Sequence, residues 1–177
     1  SLAGGHRSDV LMPGAGSGTL AGGPDADVFA FRAFAAGRAT ITDFSVAEAD
    51  EIDFTAFPAA SGAYVHKHLK LFPAAVGHEL RVDLDGDGVG FTNLCVALPG
   101  LGTDDADLYA LIAAGRLRVE GLHLLPRVSV AATAPQAAEN GPVAGRFTVT
   151  REGDLSADLT VPLVWSGTAI NGTDYVL

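Results

Sequence analysis

Cysteine is almost absent from this chain of 177 residues. Cys95 stands alone, which excludes an internal disulfide. It lies in the apolar run 94–98 and reads as a buried, inert thiol. Positive charge is scarce as well. Lys and Arg number 11 against 21 Asp and Glu, a net of −10 that argues against nucleic acid or an anionic membrane as partner. No apolar run approaches the ~20 residues of a membrane span. Ser1 is followed by no basic and apolar leader, so the chain is expected to be an internal piece of something longer. Gly-x-Ser-x-Gly, His-Glu-x-x-His and phosphate-loop motifs are all missing, and no nucleophile is placed beside a base, so no enzyme activity is expected. His66 and His68 would share one strand face with His78 ten residues on. A transition-metal site needs further ligands that the sequence does not identify, and a surface strand is the favoured reading.

What the chain does hold is turns and short apolar segments. Hydrophobic residues make up 48%, too many for a disordered chain, and 22 Gly with 9 Pro fit many turns between short strands. Three nine-residue units run head to tail: Gly4–Met12, Pro13–Ala21 and Gly22–Ala30. Their eighth column reads Leu11, Leu20, Phe29, their second Gly5, Gly14, Gly23, and their sixth Asp9, Gly18, Asp27. This matches the Gly-Gly-x-Gly-x-Asp-x-apolar-x repeat of calcium-binding parallel β-rolls. Two units make one turn of such a roll, so Asp9 and Asp27, eighteen apart, fall on one side. A Ca²⁺ between them would receive two carboxylates and carbonyls from turns built on Gly5 and Gly23. Gly18 leaves the opposite side without its carboxylate. Arg7 and Asp25 replace a turn glycine where unusual dihedrals are needed. The plain alternative is a glycine-rich loop followed by one strand.

The chain continues as Val28-Phe29-Ala30-Phe31, then 39–44 (ATITDF) and 50–54 (DEIDF). Over about residues 4 to 57 it resembles the end of an RTX (haemolysin-type) calcium-binding region. Residues 80–119 resemble, more loosely, the cap that follows such repeats in proteins exported by type I secretion. The first resemblance implies Asp43, Asp50 and Asp53 as further ligands. Alternation over 41–46 equally allows a half-buried strand with Asp43 facing water.

Asp83-Leu84-Asp85-Gly86-Asp87-Gly88 begins like an EF-hand loop, but position twelve is Leu94 where a bidentate Glu is needed. The pattern reads as a hairpin with positive φ at its glycines. Asp83, Asp85 and Asp87 either hold Ca²⁺ or form a solvated turn. One helix is expected over 104–114, capped by Asp104 with Asp107 reinforcing it and ended by Gly115.

After a linker at 122–127, period-two strands separated by Gly-Asp and Asn-Gly turns argue for an antiparallel sandwich with Phe147 and Val149 facing inward. Residues 167–175, Gly-Thr-Ala-Ile-Asn-Gly-Thr-Asp-Tyr, with Glu139 upstream, are similar to the start of a Calx-beta domain. That resemblance implies Glu139 and Asp174 as Ca²⁺ ligands, the rest of the sandwich lying beyond Leu177.

The expected fold is therefore mainly β: a short parallel β-roll (4–30) leading into a β-rich cap with one helix (31–121), then a partial antiparallel β-sandwich (128–177). The resemblances imply a non-enzymatic, calcium-binding structural segment of a large secreted or cell-surface bacterial protein, adhesin-like and folding on Ca²⁺ outside the cell. An alternative is the accessory tail of a secreted hydrolase or protease whose catalytic domain is elsewhere. Calcium ions are the expected partners, with other modules of the same polypeptide or cell-surface ligands. Nucleic acid and a membrane span are not expected, and the fragment is expected to be monomeric.

Overall fold

The eighteen-residue spacing sets the architecture. In a computed structural model, residues 1–58, 62–104, 106–136, 144–152, 155, 158–164 and 168 are described. The first six strands wind as a coil that alternates between two sheets: β1 (Leu2–Ala3), β2 (Val10–Leu11), β3 (Gly18–Ala21), β4 (Val28–Ala30), β5 (Gly37–Ile41) and β6 (Glu51–Phe54). The odd strands pair parallel in one sheet and the even strands in the other. Leu2 lies beside Leu20 and Val10 beside Val28, an offset of eighteen. The next coil is looser, with Gly18 beside Ala39 and Val28 beside Glu51.

Strands β2 to β6 each send at least one large residue between the sheets, whereas Leu2 of β1 stays exposed. Leu11, Leu20 and Phe29, the apolar column of the repeats, are all buried, followed by Ile41 and Ile52. Burial of each such side chain contributes roughly 1.5–3 kcal/mol. Phe31, Phe34, Phe54 and Phe57 close the coil's lower end in edge-to-face contacts at 5.2–5.3 Å.

Below the coil come β7 (Ala63–Tyr64), a single helical turn α1 (Val65–His68), β8 (Leu69–Pro73), β9 (His78–Val82) and β10 (Leu94–Leu98). Strand β10 adds parallel to β5, and β9 and β8 extend that sheet antiparallel. The hairpin between β9 and β10 has Gly86 and Gly88 at positive φ, though β10 starts five residues after Val89. Helix α2 (Leu108–Ala113) then leads to β11 (Leu117–Val119), parallel to β6, and β12 (Leu122–His123), which pairs with β7.

Two helices, not one, are thus present among the described residues. The His66-Lys67-His68 segment is helical rather than strand, and His68 is buried with its Nδ1 2.8 Å from the Asp83 carbonyl. Helix α2 starts later than the sequence suggests, because Asp107 is its cap. One Asp107 oxygen accepts from the Tyr109 and Ala110 N–H groups at 2.8 and 3.1 Å, while Asp104 lies in a preceding turn. Gly115, at φ 70°, ends it: its N–H bonds the Ile112 carbonyl, and the Arg116 N–H bonds that of Leu111.

The C-terminal portion departs most from expectation. Strands β13 (Arg127–Ala134) and β14 (Arg146–Glu152) form an antiparallel pair. Phe147 and Val149, expected to face inward, are 59% and 47% exposed, and Val130 is 64% exposed. The reason is that no second sheet covers them among the described residues: 158–164 is exposed and forms no strand.

Candidate metal centre

Three successive turns stack at one edge of the coil: residues 4–9, 22–27 and 42–50. The first two are held by the backbone, with the Gly4 N–H donating to the Ala21 carbonyl and the Gly5 N–H to that of Gly22, both at 2.9 Å. Gly5 and Gly23 have φ of 118° and 105°, a region that favours glycine. A Cβ on Gly23 would overlap the Gly5 carbonyl oxygen. Arg7 and Asp25, where the repeat has glycine, are forced to φ of 77° and 82°. That strain is partly offset by the Arg7 N–H, which bonds an Asp25 oxygen at 3.1 Å.

The carboxylates form a ladder. The Asp9 N–H donates to Oδ1 of Asp27 at 2.8 Å, and the Asp27 N–H to Oδ1 of Asp50 at 2.9 Å. Asp50 ends the series, since its Oδ2 accepts from the Ser45 N–H at 2.9 Å. The second oxygens of Asp9 and Asp27 are different. Both Oδ2 atoms are buried and have no hydrogen-bond partner, and Asp27 is wholly inaccessible. Burial pushes the Asp27 carboxyl above the usual carboxylate range, opposed by its bond from Asp9 and reinforced by the charges of Asp9, Asp43 and Asp25. Asp50 is pushed up for the same first reason. Two orphaned carboxylate oxygens, beside turns rich in carbonyls, are of the donor type that hard cations take. A Ca²⁺ there would supply the positive charge that the buried row lacks, held by Asp9, Asp27 and carbonyls of the Gly5 and Gly23 turns.

No protein-family model matches this chain, and a comparison with curated proteins finds no relative. The site must therefore be judged on its geometry.

Asp43 does not sit on a water-facing strand. Strand β5 stops at Ile41, and the Asp43 carboxylate accepts from the Gly22 and Gly23 N–H groups at 3.1 and 3.0 Å. Asp53 is engaged elsewhere. Burial pushes its pKa up, but the Arg32 guanidinium at 2.8 Å and bonds from Thr55 outweigh this and hold it at about 2. A carboxylate so paired is a structural ion pair, not a free ligand.

Asp83, Asp85 and Asp87 do converge, their oxygens lying within 4.8 Å of one another. Much of their capacity serves the turn itself: Asp83 accepts from the Gly86 and Gly88 N–H groups at 3.4 and 3.0 Å, Asp85 from Asp87, and Asp87 from Val89. Leu94 is buried at the start of β10, so the loop has no twelfth-position ligand. The histidines do not join a metal cluster among the described residues, and His78 bonds the Leu101 carbonyl through Nδ1. Glu139 and Asp174 lie outside the described residues, as does 169–175 of the Calx-beta-like run.

Sequence reasoning missed Gly4 and Gly22. A Cβ on Gly22 would overlap Asp27 Oδ2, and one on Gly4 would lie 2.6 Å from Asp9 Oδ2. The signal was present in the first column of the repeat, where Gly4 and Gly22 stand on the carboxylate side and Pro13 on the other.

Proposed function

We propose that this chain is a calcium-dependent structural segment of a larger secreted or cell-surface bacterial protein, without catalytic activity of its own. The observation that carries the reading is the fully buried Asp27 carboxylate, one oxygen of which has no protein partner and faces the same deficit one coil earlier at Asp9. Such an arrangement is costly without a cation, at about 1–3 kcal/mol or more for each unsatisfied buried group. The RTX-like repeat supports the secreted setting. Low internal Ca²⁺ would leave the acidic coil unfolded for export, and external Ca²⁺, at the roughly 10⁻⁴ to 10⁻³ M typical of extracellular modules, would fold it. The rigid coil would then act as a spacer between other modules.

The test is a Ca²⁺ titration of metal-stripped chain followed by far-UV circular dichroism and calorimetry, with Mg²⁺ as control. A Ca²⁺-specific gain in β signal, absent from an Asp9→Ala/Asp27→Ala variant, is expected. A flat titration of an already folded chain would reject the proposal.

A further inference from the structure

The chain contains only two lysines, Lys67 and Lys70. Both line one groove of about 500 Å³, formed by α1, β8, the acidic turn and the start of α2. Five arginines, Arg32, Arg38, Arg81, Arg118 and Arg127, pair with carboxylates. The lysines make no such pair among the described residues. Lys67 Nζ donates to the Asp87 carbonyl at 3.1 Å, and Lys70 Nζ rests over the Phe72 and Phe91 rings at 5.1 and 6.0 Å. The nearest carboxylates keep their charge but bond elsewhere, and one of them, Asp107, also lines the groove. Asp87 accepts from the Val89 N–H at 2.6 Å, and Asp107 holds α2 and Arg127.

The groove also has an apolar wall from Leu71, Phe91 and Leu108, with Tyr109 at its edge. His66 lines it too, and its buried Nδ1 has no hydrogen-bond partner. Burial, then the charge of Lys67, lowers the His66 pKa. In a chain of net charge −10, two ammonium groups without acidic partners beside an apolar wall form a local exception. A volume of this size suits a small molecule.

We propose that this groove binds a small organic anion: a compact apolar or aromatic body bearing one oxyanion head, with Lys67 and Lys70 on the head and Phe91, Leu71 and Leu108 against the body. The site is separate from the stacked turns, so the proposal does not depend on the calcium reading.

The full chain in calcium-containing buffer is titrated with phenylacetate, phenyl phosphate and the neutral phenylacetamide, while amide NMR shifts of residues 66–71 and 106–109 are followed. Saturable shifts from at least one anion are expected, the preferred one identifying the head group as carboxylate or phosphate. Phenylacetamide should bind about tenfold more weakly or worse, and Lys67→Met/Lys70→Met should weaken the anion by a similar factor. Both lysines are exposed, so the variant should melt as the parent does. Three results would overturn the proposal: no saturation by about 10 mM of either anion, equal binding of the amide, or unchanged affinity in the double variant.

Discussion

Asp27→Asn should invert its effect on stability when Ca²⁺ is added. The amide oxygen can still accept the Asp9 N–H, which lies 2.8 Å from Oδ1, so the ladder bond survives. The charge on the buried, unpartnered Oδ2 does not. Without metal, removing it should stabilise the chain by roughly 1–3 kcal/mol. With about 10 mM Ca²⁺, a hundredfold excess over a Kd of about 10⁻⁴ M, the parent gains about 2.7 kcal/mol that the variant forfeits. That exceeds the middle of the first range, about 2 kcal/mol, so the order of the two proteins reverses. At this chain length, 1 kcal/mol moves Tm by roughly 2–4 °C. Thermal melts by circular dichroism, in EGTA and in Ca²⁺, should therefore place the variant several degrees above the parent in the first and below it in the second. A shift of the same sign in both buffers would refute the assignment of Oδ2 to a cation.

Acid should act on the metal-free chain in two stages. Asp27 and Asp50 have carboxyls raised above the ordinary 3.8, so the folded state holds protons that the unfolded state releases, and stability rises as pH falls from neutrality toward that value. Asp53, held down to about 2, contributes stability above 3.8 that is lost as pH falls from there to about 2. In EGTA the parent's denaturant midpoint, taken relative to that of Asp27→Asn, should thus rise as pH falls from neutrality to about 4, and no relative rise would contradict the burial assigned to Asp27. Gly22→Ala should cost about 1–3 kcal/mol and blunt the Ca²⁺ response, because its Cβ meets Asp27 Oδ2. Gly18→Ala, with open space around its Cβ, is the control, and equal melting losses in the two would contradict the close approach. Val130→Thr should change stability by no more than about 0.5 kcal/mol, since the side chain is largely exposed; a larger loss in urea melts would mean the hairpin face is covered.

The mainly β fold and the eighteen-residue stacking were legible because one apolar residue and one carboxylate recur in fixed columns. Leu11, Leu20 and Phe29 stand inward for the same reason that Asp9 and Asp27 share an edge. Other features depend on tertiary partners that no column encodes. Asp107 rather than Asp104 caps α2 because a turn intervenes, and His68 is buried because Asp83 and Phe57 meet it from other segments. Asp43 and Asp53 look alike as acidic residues flanking apolar ones. One clasps two backbone amides and the other pairs with Arg32, a distinction set by what the fold brings near them. The inward placement of Phe147 and Val149 failed because alternation specifies two faces but not what covers either.

The clasp made by Asp43 has a consequence for how the coil can vary. One coil earlier, the Gly4 and Gly5 N–H groups are met by two main-chain carbonyls, those of Ala21 and Gly22. At the next level the Gly22 and Gly23 N–H groups find the two oxygens of one side chain instead. Asp43 thus imitates the peptide edge of a further turn and halts that row without needing one. The stop is local to the last coil. A whole eighteen-residue turn spliced in ahead of Gly22 would meet the same lower surface, and one removed would leave it intact. The length of the stack is in this way uncoupled from its terminus, so a rod of a different length could be made from the same closing piece.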